Sequence, residues 1–71
     1  MPNALKTLGK NIKFYRSQLG LTQEELAKLS GVNRSHLAGI ERGNLNPAVK
    51  TVEKLADALN ITVSDIFAST S

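Results

Sequence analysis

The sequence predicts an all-α fold, a compact bundle of five helices, and three observations carry that prediction. Apolar residues recur at spacings of three and four along most of the chain, the period of a helix with one buried face. Alternation with period two, the mark of a half-buried strand, never extends over four residues. Helix start and stop residues stand at the joints between the periodic stretches.

Leu5, Leu8, Ile12, Tyr15 and Leu19 form the stripe of a first helix from about Ala4 to Leu19, which Gly20 ends. Phe14 lies off that stripe and reads as a single exposed aromatic, while Tyr15 belongs to the core. Thr22 caps a second helix through its hydroxyl. Glu25, three places on, completes a capping box, and Leu26, Ala27 and Leu29 supply the apolar face. Ser30-Gly31 stops this helix, with Gly31 giving the positive φ common at helix C-termini and Val32 following as an apolar plug. Asn33 caps a third helix, in which Leu37 and Ile40 share an inner face and Arg34, Ser35, Ala38 and Gly39 project elsewhere. Gly43 to Pro47 reads as a loop. Asn46 as cap and Pro47 as first helical residue then open a fourth helix, whose face is Val49, Val52, Leu55, Ala56 and Leu59. Thr62 and Asp65 form a second capping box before a short fifth helix with Val63, Ile66 and Phe67, and the chain frays from Ala68.

Residues 1–71 are expected to form one domain, and a chain of this length buries only about 60% of its unfolded surface. A second copy would supply the missing burial. Cysteine is absent, which excludes disulfides and thiolate metal sites and is compatible with a reducing cytoplasm. The longest apolar run, leaving glycine aside, is three residues, Ile66 to Ala68, so neither a membrane span nor a signal-peptide core is expected and the protein is placed in the cytoplasm. Net charge is +3. Lys6, Lys10, Lys13 and Arg16 lie in the first twenty residues with no acid, whereas Lys54 is the one base among the last twenty-one. That polarity fits a nucleic-acid footprint on one side, and a solvated helix face explains the spacing of the three lysines equally. His36 is the single histidine, and no metalloprotease, nucleophile-elbow, Walker or dinucleotide pattern occurs. No enzyme, catalytic residue, metal site or cofactor is expected.

Gln23 to Arg42, QEELAKLSGVNRSHLAGIER, carries the most specific signal. With Gln23 as first, the small fifth residue is Ala27, the ninth is Gly31, and the apolar fourth, tenth, fifteenth and eighteenth are Leu26, Val32, Leu37 and Ile40. In this spacing the stretch resembles the phage-repressor-like helix-turn-helix proteins of the Xre family, which include phage repressors and restriction-modification controller proteins. Ser30, at the eighth position, departs from the larger apolar residue common there. LTQEELA, IERGNLNP and LADALNITVSDIF extend the likeness over nearly the whole chain. It implies a lambda-repressor-like fold and a sequence-specific transcriptional regulator, a repressor that binds a palindromic operator in double-stranded DNA as a homodimer. Two other roles stay open: a controller protein that both activates and represses, and the DNA-binding antitoxin half of a toxin pair.

In this motif the N-terminal end of the third helix faces base edges in the major groove, which makes Asn33, Arg34, Ser35 and Gly39 the base-reading set. Arg34 leads, because its planar fork matches O6 and N7 of one guanine; a phosphate contact is its alternative. Ser35 discriminates weakly, and Asn33 is partly committed to capping. Gly39 offers only close approach where relatives often place a reading side chain, so part of the specificity passes to DNA shape. The resemblance assigns phosphate contacts to Thr22 and Gln23, in line with anion binding at helix N-termini. Arg42, Asn44, Asn46 and Lys50 flank the following loop and would grip the same strand, and His36 either touches backbone or is simply exposed. The resemblance further implies a partly buried Arg16–Glu41 ion pair and pairing of the last helices through Ile61, Val63 and Phe67. RNA polymerase is a further partner that it raises through Glu24, although acids in a first helical turn also favour the helix dipole.

Overall fold

Five helices succeed one another: α1 (Ala4–Gln18), α2 (Gln23–Ser30), α3 (Arg34–Arg42), α4 (Val49–Leu59) and α5 (Val63–Phe67). The computed structural model describes residues 3–68, and no strand occurs among them. Helix α1 packs on α3 and α5, and α2 packs on α3 and α4. Every helix sends at least one completely buried side chain into a shared core: Leu8 and Ile12, Leu26, Leu37 and Ile40, Leu55, and Ile66. Burial of such a residue stabilises the fold by about 1.5–3 kcal/mol, so these seven hold the five helices together.

Two polar or small residues of α1 do as much as its apolar stripe. Gly9 faces the C-terminal end of α3, where a Cβ would collide with the Ile40 carbonyl oxygen and stand 2.7 Å from that of Glu41. The missing side chain lets the two backbones touch. Asn11 is buried, and its amide nitrogen donates to the carbonyls of Ile66 at 2.6 Å and Ala68 at 2.8 Å. A five-residue helix leaves most of its last carbonyls without partners, and Asn11 supplies two of them.

Several sequence expectations are corrected. The buried or half-buried positions of α2 are Gln23, Leu26, Ala27 and Ser30, one i, i+3, i+4, i+7 strip. Leu29 falls outside that strip and is 63% exposed. Leu19 caps α1 just beyond its last turn and is also exposed, as is Val49, which begins α4 past the edge of the core. The fourth helix starts two residues later than Asn46-Pro47 implies: Ala48 is its N-cap, with no side-chain hydrogen bond. Residues 44–48 form a loop without regular structure, and Leu45 folds back against Gly39 along the way. Gly39, expected to project outward, is buried for that reason. Fraying is expected from Ala68, but Ala68 is held by Asp65 and Asn11 through its N–H and carbonyl; the rest of that stretch lies outside the described residues.

Gly9→Ala tests the backbone contact between α1 and α3. Alanine favours a helix by about 1 kcal/mol over glycine, yet here its Cβ must push α3 away, and overpacking of this kind costs typically 1–3 kcal/mol. A net loss of stability is expected in urea denaturation. An unchanged or raised midpoint would mean that the helices do not meet this closely.

Candidate nucleic-acid interface

The α2–α3 unit is assembled from local hydrogen bonds that the sequence spells out. Thr22 Oγ1 accepts from the Glu25 backbone N–H at 3.0 Å, and the Glu25 carboxylate accepts from the Thr22 N–H at 2.9 Å. The bond from the Thr22 backbone N–H, followed by the nearby Thr22 side chain, holds the Glu25 carboxyl below its ordinary range. A lowered carboxyl stabilises the fold above the ordinary glutamate pKa and loses that contribution as pH falls through the lowered value, so the box is fully formed at neutral pH. Gly31 has φ +74°, and its N–H donates to the Ala27 carbonyl at 2.9 Å. Ser30 explains its own departure from the apolar norm: its hydroxyl donates to the Ala27 carbonyl at 3.3 Å and accepts from the Val32 N–H at 3.2 Å. The side chain ties the turn from inside. Asn33 Oδ1 then accepts from the N–H groups of Ser35 at 2.8 Å and His36 at 3.3 Å, capping α3.

This construction leaves Arg34, Ser35 and His36 exposed on the first turn of α3, with Leu37 and Ile40 fully buried behind them. Ala38 is half-buried, and Gly39 has no free face because Leu45 lies over it. Arg42 closes α3, Asn44 and Asn46 follow on the loop, and Lys50 stands in the first turn of α4; all four are exposed. Among the described residues the ion pairs are Arg16–Glu41 and an exposed Glu24–Lys28 contact at 4.0 Å. Arg34, Arg42 and Lys50 therefore keep their charges uncommitted along one continuous segment. Ile61 and Val63 are half-buried against the core, and Phe67 is 50% exposed.

Arg16 and Glu41 meet as the resemblance implies, through Nε to Oε2 at 2.7 Å and Nη2 to Oε1 at 2.9 Å. The side chains are 14% and 4% exposed. The hydrogen bond to Glu41 raises the Arg16 pKa, so the guanidinium stays charged through the whole working range of pH. Its Nη1 also donates to the Leu21 carbonyl at 2.8 Å. A third partner was not legible in the sequence: Gln23 Nε2 donates to Glu41 Oε1 at 3.1 Å. One amide hydrogen of Gln23 is thereby committed to Glu41, which leaves the second for a ligand. The network links α1, the segment before α2, the first residue of α2 and the last turn of α3.

A helix held on a buried partner helix by a tight glycine turn, with exposed donors on its first turn, defines a helix-turn-helix of the DNA-binding type. Comparison with known proteins agrees. The HTH_3 helix-turn-helix family model matches residues 12–66. The immunity repressor protein of Bacillus phage phi105 is 47% identical over 60 residues, which cover 84% of this chain and 42% of the repressor, so the chain spans under half of that protein. The crystal structure of the restriction-modification controller protein C.AhdI from Aeromonas hydrophila is 41% identical, with a TM-score of 0.86 over 89% of this chain and 96% of that one. SinR, a master regulator for biofilm formation solved in complex with DNA, is 35% identical with a TM-score of 0.82, covering 86% of this chain and 98% of its own. The chain belongs to the HTH_3 helix-turn-helix family of DNA-binding transcriptional regulators.

Because the Arg16–Glu41 pair is withdrawn from water, removal of either partner alone strands a charge and is expected to cost about 3–5 kcal/mol. Replacing both with apolar residues is expected to be milder than the sum. A urea double-mutant cycle measures the coupling, and additive losses would show that the two groups do not act as a pair.

Proposed function

We propose that this chain represses transcription by binding a two-fold operator as a homodimer, each copy presenting the first turn of α3 to the major groove. The observation that carries the reading is the exposed, unpaired Arg34 guanidinium beside the Asn33 cap, on a helix whose opposite face is fixed in the core. Arg34 reads a guanine and Ser35 assists. Asn33 contributes its remaining amide donors, since its carbonyl oxygen is occupied as the cap. Thr22 and Gln23 at the start of α2, with His36, Arg42, Asn44, Asn46 and Lys50, contact the phosphate backbone. These fix position rather than sequence. Likeness to a DNA-bound regulator supports this arrangement.

One reading helix spans only a few base pairs, so a symmetric partner is required for useful affinity. The half-exposed Phe67, next to Ile61 and Val63, is the surface assigned to that pairing. The protein acts where the DNA is, in the cytoplasm, and no helix among the described residues is long and apolar enough to cross a membrane. The controller reading is supported by the likeness to a restriction-modification controller protein at 41% identity. In it Glu24, exposed on α2, would face RNA polymerase, with Lys28 across from it at 4.0 Å reducing the local negative charge.

Reading and gripping are separable by titration on a duplex selected for tight binding. Arg34→Ala is expected to lose about 1–3 kcal/mol per half-site and to relax preference at one base position. Arg34→Lys keeps the charge without the rigid fork and is expected to rescue only in part. Gln23→Ala is expected to weaken all duplexes alike with little change in salt dependence, because a neutral donor releases no counterion. Full rescue by lysine, with base preference intact in Arg34→Ala, would move Arg34 to the backbone contacts.

A further inference from the structure

Helix α3 has no side chain at Gly39, and the space is filled from outside the helix. A Cβ on Gly39 would stand 2.5 Å from Leu45 Cδ1, 2.9 Å from its Cγ and 3.8 Å from Arg42 Nη2. Leu45 is therefore laid directly on the backbone of α3. Gly39 follows Ser35 by four residues and precedes Arg42 by three, so the three positions share one strip of the helix. Ser35 and Arg42 are both exposed on that strip, and Leu45 completes it from the loop. It keeps 38% of its surface in contact with solvent, an apolar patch between a hydroxyl and a guanidinium.

The chemistry of the patch restricts what it can recognise. Leucine has no donor or acceptor, so it gains nothing from the hydrogen-bonding edges of guanine, adenine or cytosine. Among the unmodified base pairs the major groove offers one apolar group, the C5-methyl of thymine. Glycine at position 39 has a purpose in this geometry, since any larger residue would lift Leu45 off the helix.

We propose that Leu45, seated over Gly39, is a specificity-determining residue that selects a thymine in each half-site by apolar contact with its methyl group. This rests on the operator-binding reading above, and it returns to the Gly39 position an element of direct readout, supplied by a neighbouring residue.

Replacing thymines one at a time by uracil removes the methyl and nothing else. On a duplex selected from a random pool, the wild type is expected to lose about fourfold in affinity per half-site at one such position, the worth of one buried methyl. Leu45→Ala is expected to bind the thymine duplex more weakly and to be indifferent to the replacement at that position. Gly39→Ala, whose Cβ displaces Leu45, is expected to lose the same discrimination. If every thymine that matters to the wild type matters equally to both variants, or none matters, the proposal is overturned while sequence preference stands. A wild type that retains selected and scrambled duplexes equally would overturn the operator reading as well.

Discussion

The buried contact between Arg16 and Glu41 is the constraint on which the presentation of α3 depends. Its two parallel hydrogen bonds join the last turn of α1 to the last turn of α3. Without it, α3 would be held mainly by apolar contacts, and such contacts are non-directional. An ion pair with fork geometry fixes rotation about the helix axis as well as distance. Gln23 joins the same carboxylate, so the residue assigned to phosphate and the helix assigned to bases share one anchor. Gly9 serves that anchor from the other side, by letting α1 approach the end of α3 where Glu41 sits.

Much of this fold was legible in the sequence because its helices are bounded by local chemistry. Thr22 with Glu25, Asn33, and Thr62 with Asp65 act within three residues of themselves, and all are found as caps. The failures occurred where a distant partner decides. Asn46-Pro47 is a sound local start signal, but Leu45 beside it folds back against Gly39 and the helix opens two residues later. In α2, by contrast, the miss was local: the inner strip passes through Ser30 rather than Leu29, and the serine hydroxyl bonds within the turn. Asn11 was missed, although its place between Leu8 and Ile12 on the buried face was the available signal.

The site divides in the same way. Arg34, Ser35 and His36 are exposed as their spacing implies, while Glu41, next to Arg42, is committed to Arg16, and among the described residues no ion pair engages Lys50. Gly39 reads in the sequence as an empty place on the helix. In the folded chain Leu45 fills it, six residues later and from a loop, and no periodicity connects the two. The Gln23–Glu41 bond is likewise a contact across eighteen residues that only the assembled core creates.

The central claim is that these elements read sequence in pairs. Selection of bound molecules from a pool of random duplexes tests it most directly. A two-fold consensus is expected, with its half-sites about one helical turn (~34 Å) apart. Equal retention of all sequences would contradict the account and leave only a basic domain with a general affinity for polyanions.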